Sequence, residues 1–180
     1  MLSTTALVER VVTVGTVTGR YTLPNGGILT SYFDEYRVAA DPELLAQTGQ
    51  ALAALLPPDV DVVAGLELGG VPFALAVSAA TGLPAALVRK TVKPYGTCLQ
   101  VEGQPASGAR VAMVDDVIRS GQQILIAAAA LRQAGTLPTT AVAILIRRGE
   151  AKSLLAGHGI TVNGVVDETA PTSPPSPTRS

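Results

Sequence analysis

A length of 180 residues and an apolar fraction of 47% are enough for one domain with a sizeable hydrophobic core. The 13 basic and 14 acidic residues leave a net charge of −1, which argues against a broad nucleic-acid-binding surface. Cys98 is the only cysteine, which excludes an intrachain disulfide, and the absence of a signal-peptide pattern or of an apolar run near ~18 residues predicts a cytoplasmic protein.

The N-terminal part of the chain mixes helical and strand-like patterns. Residues 4–12 predict a short helix, and the β-branched run over residues 11–18 fits either a helix or a strand. Asn25-Gly26 lies between two strand-like runs, and this pair is typical of a tight hairpin turn. Asp41, Pro42 and Glu43 then predict the start of a helix that runs to about Leu56.

From residue 59 onward, short apolar runs alternate with helical runs. The predicted strands are residues 60–65, 85–89, 111–114, 140–146 and 160–166. The predicted helices are residues 71–81, 122–134 and 150–156. This alternation predicts an α/β fold with an open, mainly parallel twisted sheet flanked by helices. We expect one domain over residues 1–168, with an N-terminal hairpin or hood over about 1–40 and a disordered Pro/Ser/Thr-rich tail over 169–180.

Two adjacent acids, Asp115 and Asp116, follow the most apolar of these strands, and a Ser120-Gly121 turn follows them. Carboxylates accept hydrogen bonds, which suits the hydroxyls of a sugar, although an acidic turn that caps a helix is the simpler interpretation. A small-residue turn at the start of a helix offers free N–H groups and the helix dipole to an anion. Together these features favour a site for a phosphorylated sugar.

Two other segments have residues suited to anions. Gly65, Gly69 and Gly70 permit an irregular strand-to-helix turn whose amides can face a diphosphate, although an ordinary glycine-rich turn fits equally well. Arg89, Lys90 and Lys93 place cations at the base of a long polar loop over residues 90–108. Long loops without secondary structure are uncommon in compact domains and are usually functional.

These motifs resemble a known family. The strand, acid pair and Ser-Gly turn of residues 111–121 resemble the 5-phosphoribosyl 1-diphosphate (PRPP) motif of type I phosphoribosyltransferases. The R-K-x-x-K run that begins at Arg89, the Glu102-Gly103 pair and the segment that begins at Tyr32 resemble orotate phosphoribosyltransferases. The motifs recur in the family's order over most of residues 19–150, so the chain is similar to a divergent branch of that family.

The resemblance implies a type I phosphoribosyltransferase fold, an activity and a set of site residues. The implied reaction transfers the phosphoribosyl group of Mg-PRPP to orotate, giving orotidine 5′-monophosphate and diphosphate. Catalytic roles are implied for Arg89, Lys90, Lys93, Asp115 and Asp116. PRPP contacts are implied for Glu67, Leu68, Gly69, Gly70, Asp115, Asp116, Val117, Ile118, Arg119, Ser120, Gly121, Gln122 and Gln123.

Base contacts are implied for Tyr32, Phe33, Arg119 and Arg148, with core packing an equal alternative for each aromatic residue. Mg²⁺ is the expected cofactor, held by PRPP and water rather than by a dedicated protein cage. A homodimer is expected as well, because in the family the loop that corresponds to residues 90–102 reaches into the neighbouring subunit. No membrane or nucleic-acid partner is expected.

Three positions depart from the family's pattern. Pro24 stands where many members have a lysine, Tyr95 replaces the loop histidine, and Arg119 replaces a hydroxyl residue that usually lies beside the base. The departures leave two alternatives open. One is a PRPP-dependent transferase for another nucleobase or acid, and the other is a PRPP-binding regulator without turnover.

Overall fold

The structure, a computed structural model, describes residues 3–22 and 26–169. Pro24 and Asn25, the asparagine of the predicted hairpin turn, lie outside the described residues. The predicted tail beyond residue 169 lies outside them as well. None of the helices in the described part of the chain is long and apolar enough to cross a membrane.

A six-stranded sheet runs through the centre of the molecule, in the order β5-β4-β3-β6-β7-β8. The strands are β3 (Val62–Leu66), β4 (Ala85–Val88), β5 (Val101–Glu102), β6 (Arg110–Ile118), β7 (Leu137–Ile146) and β8 (Thr161–Asp167). All neighbouring pairs are parallel except β4 with β5. The sequence prediction of an open, mainly parallel sheet is therefore confirmed.

Helices cover both faces of this sheet, since a parallel sheet is apolar on both sides. Helices α5 (Gln122–Gln133) and α6 (Ala151–Ala156) cover one face, where Ile124, Leu131 and Leu155 are fully buried. Helices α3 (Pro42–Ala53) and α4 (Gly70–Thr81) cover the other face, together with the hood.

The hood consists of α1 (Thr4–Gly15), an antiparallel hairpin of β1 (Thr16–Thr22) and β2 (Ile28–Phe33), and α2 (Glu35–Ala40). The β-branched run over residues 11–18, which fits either a helix or a strand, is thus divided between the two. Helix α1 continues to Gly15, and strand β1 begins at Thr16. The six-residue α2 was not predicted, because it is too short to show a helical period. Asp34 caps α2 by accepting a hydrogen bond from the N–H of Tyr36.

Helix α3 begins where the sequence predicts and ends three residues earlier than Leu56. Asp41 caps it by accepting hydrogen bonds of 3.0 Å from the N–H groups of Glu43 and Leu44. After Ala53 the chain tightens into turns, in which Leu55 and Leu56 donate to carbonyls three residues back.

Strand β6 is longer than predicted, and its additional residues include the two aspartates of the candidate site. The predicted strand ends at Val114, whereas β6 continues through both aspartates to Ile118. Pairing with β3 stops at Gly65 opposite Val114, but pairing with β7 continues to Ile118 opposite Ile146. Asp115 and Asp116 therefore lie on a strand that has passed the end of its β3 neighbour, and they border the open space above that end. The loop over residues 90–108 also contains the short strand β5.

Candidate active site

A cavity of about 340 Å³ lies beyond the carboxyl ends of β3, β4 and β6. Ligand sites of open α/β sheets lie in this position. Its walls are formed by Glu35, Tyr36, Leu66, Glu67, Leu68, Gly69, Val88, Arg89, Lys90, Asp115, Asp116, Val117, Gln123, Ile126 and Ala127. The cavity thus brings the acid pair, the glycine-rich turn and the first two loop cations together.

Asp116 is held in this cavity by contacts on two sides. Its Oδ1 accepts a hydrogen bond of 2.7 Å from the backbone N–H of Val117. Gly69 lies against its Oδ2 so closely that any side chain at position 69 would overlap the carboxylate. Glu35 of the hood lines the same cavity. The glycine at position 69 is therefore required for Asp116 to lie across the β3–α4 turn.

The turn between β3 and α4 is tied to the base of the long loop. The N–H of Glu67 donates to the carbonyl of Val88 at 2.8 Å, and the Glu67 carboxylate accepts from the N–H of Lys90 at 2.9 Å. The N–H of Arg89 donates to the carbonyl of Gln100, which closes the loop at its base. A movement of the loop base would therefore be transmitted to the turn.

A second cavity, of about 170 Å³, adjoins the first and follows the turn between β6 and α5. Gly121 takes a left-handed conformation there, with φ of 80°, immediately before α5 begins. The N–H of Gln122 donates to the Ser120 hydroxyl at 3.4 Å. The first turn of a helix directs free N–H groups at this space, so its geometry suits an anion such as a phosphate. The two cavities share Asp115, Val117 and Gln123.

The carboxyl groups of the larger cavity influence one another. Burial and then the charge of Asp116 raise the pKa of Asp115 well above its usual range. Burial and Asp116 also raise the pKa of Glu35 to about 7. Arg89 and Lys90 line the same cavity, and the Nε of Arg89 is buried without a hydrogen-bond partner in the described part of the chain. The site therefore combines protonatable acids with cations available to an anion.

Most of the residues implied for PRPP line one of the two cavities. Gly70 and Gln122 do not, since Gly70 packs against the β6 backbone and Gln122 is exposed at the start of α5. Lys93 lines neither cavity either. Its ammonium group lies 5.0 Å from the centre of the Tyr95 ring, so this cation contacts another residue of the same loop.

The four residues implied for the base lie in different surroundings. Arg119 lines the smaller cavity, and its charge lowers the pKa of Tyr32, which burial, Glu35 and Asp116 raise overall. Tyr32 is therefore near the acids and its ring contacts Tyr21. Phe33 is 4% exposed and packs against Gly15, which is the core-packing alternative. Arg148 is exposed and lines neither cavity, although its backbone N–H donates to Glu168.

Glu35 and Tyr36 line the larger cavity and were missed by the sequence predictions. Their helix is too short to show periodicity, and nothing in the local sequence reveals that the hood lies over the sheet. The available signal was the run of aromatic and acidic residues over positions 32–36, which begins the segment that resembles the family.

An open parallel sheet with an acid pair on its central strand, a phosphate-sized cavity after it and a glycine-rich turn on the neighbouring strand define a type I phosphoribosyltransferase. A curated orotate phosphoribosyltransferase of Nocardioides sp. is 43% identical to this chain over 150 residues, which are 83% of this chain and 84% of that protein. One of Halobacterium salinarum is 36% identical, over 82% and 84% of the two chains. The chain belongs to the orotate phosphoribosyltransferase family.

Solved structures agree with this assignment. The orotate phosphoribosyltransferase of Mycobacterium tuberculosis in complex with PRPP matches with a TM-score of 0.77 at 27% identity, over 91% of this chain and 95% of that chain. The enzyme of Aeropyrum pernix matches with a TM-score of 0.79 at 29% identity, over 90% and 93%. No protein-family model matches the chain.

Proposed function

We propose that the protein transfers the phosphoribosyl group of PRPP to a ring nitrogen of orotate, giving orotidine 5′-monophosphate and diphosphate in pyrimidine nucleotide synthesis. One observation carries the proposal: the two adjoining cavities share Asp115 and have a pair of acids, a Ser-Gly turn at the start of a helix and cations in their walls. Membership of the family at 43% identity supports the same activity.

PRPP would lie across both cavities. Its 5-phosphate would occupy the smaller one, at the Ser120-Gly121 turn and the start of α5. Its ribose hydroxyls would donate to the carboxyl oxygens of Asp115 and Asp116, because a carboxyl group accepts hydrogen bonds whether or not it is ionised. Its diphosphate would then lie in the larger cavity, near the turn that contains Glu67, Leu68 and Gly69.

The loop cations would stabilise the departing diphosphate. Negative charge grows on that group as the bond to C1 of the ribose breaks, and fixed cations stabilise it most in the transition state. Arg89 and Lys90 already line the cavity, and Arg89 has a buried Nε free to donate. Lys93 would join them when the loop closes.

Mg²⁺ fits this site as a companion of PRPP. No cluster of three or more His, Cys, Asp or Glu residues able to hold a metal ion occurs in residues 3–22 and 26–169. Mg²⁺ usually keeps several waters and takes phosphate oxygens of the substrate, so PRPP and water would supply its ligands. Bound in this way, the ion neutralises part of the diphosphate charge.

A second copy of the chain would complete the site. Helix α4 is apolar almost all round, and its Leu75 is 50% exposed. With α3 it forms a groove lined mainly by Leu45 and by the small residues Ala76, Ala79 and Ala80. A helix that is apolar on all sides is normally covered. We place the homodimer interface there, with residues 90–102 of each subunit closing over the partner's site, in a cytoplasmic enzyme.

A transferase for another nucleobase or acid is the second candidate, because Arg119 departs from the family at a position that usually lies beside the base. A regulator without turnover is less consistent with cations in the diphosphate cavity, since a sensor has no leaving group to stabilise.

The test is the release of diphosphate from Mg-PRPP with orotate, uracil, adenine, cytosine or no acceptor. We expect release with orotate and a loss of activity when Mg²⁺ is chelated. Release only with another acceptor would establish the second candidate. Binding of PRPP without release for any acceptor would establish the regulator. A variant with both Asp115→Asn and Asp116→Asn is the matched negative control.

A further inference from the structure

Arg89 and Lys90, two cations in the wall of the larger cavity, follow the end of β4. Neither residue belongs to a helix or a strand, so their backbone groups need hydrogen-bond partners from elsewhere. Two residues distant in the sequence supply these partners. Gln100 lies near the other end of the loop over residues 90–102, and Glu67 lies in the turn between β3 and α4. Together they fix the backbone that carries both cations.

Gln100 makes three hydrogen bonds to Arg89 and Lys90. Its carbonyl accepts from the N–H of Arg89 at 2.9 Å, and its side-chain Nε2 donates to the carbonyl of Arg89 at 3.2 Å. The same Nε2 lies 3.4 Å from the carbonyl of Lys90, which is a longer and weaker bond. Both backbone polar groups of Arg89 are therefore bonded to one residue, whose side chain is half-buried.

Glu67 holds the backbone of Lys90 without neutralising a cation. Its Oε2 accepts a hydrogen bond of 2.9 Å from the N–H of Lys90. No ion pair within residues 3–22 and 26–169 includes Glu67, Arg89 or Lys90. An acid in the wall of an anion site repels the ligand, so its presence there needs another explanation. The bond to the Lys90 N–H supplies one.

All four backbone polar groups of Arg89 and Lys90 are thus hydrogen-bonded. Neither side chain forms an ion pair in the described part of the chain, and the buried Nε of Arg89 has no hydrogen-bond partner there. A fixed backbone with free cationic groups suits a leaving group on which charge grows, because the cations need little reorganisation as the bond breaks. The two residues are therefore held in the way that the proposed reaction requires.

We propose that Gln100 and Glu67 are positioning residues: they hold the backbone of Arg89 and Lys90 so that both cations face the departing diphosphate. The proposal rests on the proposed function and deepens it, because it names residues that act on the leaving group through other residues. Gln100 lines neither cavity, so its effect on the reaction would pass through the two cations alone. Glu67 would act through the N–H of Lys90.

Four substitutions separate these hydrogen bonds from the effects of charge and size. Gln100→Met keeps an unbranched, uncharged side chain but has no N–H to donate. Glu67→Gln removes the charge and keeps an oxygen that can accept from the N–H of Lys90, whereas Glu67→Ala removes both. Gln133→Met repeats the glutamine-to-methionine change at the exposed last residue of α5 and is the matched control.

Steady-state kinetics with Mg-PRPP and orotate test the positioning role. We expect Gln100→Met and Glu67→Ala each to lower kcat by about tenfold to a hundredfold, with a smaller change in KM for PRPP, because displaced cations weaken the transition state most. Glu67→Gln should recover most of the kcat lost in Glu67→Ala, and Gln133→Met should follow wild type. Equal kcat values for Gln100→Met and Gln133→Met would overturn the proposal, as would a Glu67→Gln variant as slow as Glu67→Ala.

Amide hydrogen exchange of the free protein tests the hydrogen bonds without a ligand. The Lys90 amide should exchange roughly tenfold faster in Glu67→Ala than in wild type or Glu67→Gln, because only Glu67→Ala lacks the acceptor. Equal exchange of this amide in all three proteins would overturn the proposal. Glu67 is exposed, so its variants decide the matter even if Gln100→Met fails to fold.

The two measurements also separate this proposal from the proposed function. If wild type releases diphosphate with orotate and the Gln100 and Glu67 variants react equally fast, the positioning role alone is wrong. If wild type releases no diphosphate with any acceptor, the proposed function is wrong and the positioning role is overturned with it, whatever the exchange rates show.

Discussion

At the scale of single residues, Asp116 has the clearest predicted effect. Its carboxylate accepts a hydrogen bond from the N–H of Val117 and lies against Gly69, so it is oriented before PRPP arrives. Asp116→Asn removes an ionised acceptor for a ribose hydroxyl, and hydrogen bonds to charged groups contribute about 1.5–3 kcal/mol. We expect PRPP affinity to fall by roughly tenfold to a hundredfold in calorimetry. Unchanged affinity in the Asp115→Asn, Asp116→Asn double variant would show that PRPP binds elsewhere.

Arg119 should set the choice of acceptor. It lines the smaller cavity, and its charge lowers the pKa of Tyr32, so the two side chains are near each other. Arginine donates hydrogen bonds and accepts none, so it favours acceptors with carbonyl or carboxylate oxygens. We expect orotate to rank first and adenine and cytosine, which present amino groups, to rank last.

The comparison of these acceptors with uracil, in wild type and in Arg119→Thr, measures the effect of Arg119. The threonine variant should narrow the preference for orotate, since threonine can donate and accept. A ranking that does not change in Arg119→Thr would remove Arg119 from base recognition, as would a better rate with adenine or cytosine in wild type.

Site residues could be predicted from the sequence where they directly follow a strand. They could not be predicted where their position depends on how distant segments pack together. Asp115, Asp116 and Ser120 could be identified because one continuous segment contains strand, acids and turn. The position of Glu35 in the cavity wall could not be predicted, because it depends on the hood lying over the sheet. Tyr32 and Phe33 were treated alike, yet alternation along β2 buries Phe33 and leaves Tyr32 36% exposed.

At the scale of elements, the loop over residues 90–102 makes the most specific prediction. Lys93 contacts the Tyr95 ring and not the cavity, while Arg89 and Lys90 are already in place. In the proposed mechanism, loop closure would carry Lys93 from the ring to the diphosphate. Lys93→Ala should lower kcat by about 10²–10³ with little change in KM for PRPP, because the contact forms chiefly in the transition state.

Steady-state kinetics and amide hydrogen exchange check this loop movement. Exchange over residues 91–99 should slow when Mg-PRPP and a non-reacting acceptor analogue are bound. Tyr95→Phe keeps the ring and serves as the matched control for Tyr95→Leu, which removes it. If Lys93→Ala retains the wild-type kcat, the loop has no part in the chemistry.

Element types were predictable from the sequence more readily than element lengths. Apolar runs and caps fixed the order of strands and helices from residue 59 onward. The length of β6 depends on β7, which pairs with it beyond the end of β3, and no local pattern in the sequence contains that information. The short strand β5 likewise exists only because β4 offers it an edge.

At the scale of the whole molecule, the two faces of the sheet differ in what covers them. The face under α5 and α6 is a closed core, whereas the other face is covered by α3, α4 and the hood. The hood contributes Glu35 and Tyr36 to the cavity wall, so the wall is complete only when the N-terminal segment is packed on the sheet. In the proposed homodimer, the second subunit would cover the exposed apolar surface of α4.

The proposed homodimer leads to a prediction about subunit mixing. In it, each site would combine Asp116 of one subunit with Lys93 of the other. Lys93→Ala and Asp116→Asn should each be nearly inactive alone. When the two variants are mixed and allowed to exchange subunits, half of the dimers are mixed. Each mixed dimer has one intact site and one doubly altered site. We expect about one quarter of the wild-type activity to return. A mixture that stays inactive although mass spectrometry shows mixed dimers would place Lys93 and Asp116 of one site in the same subunit.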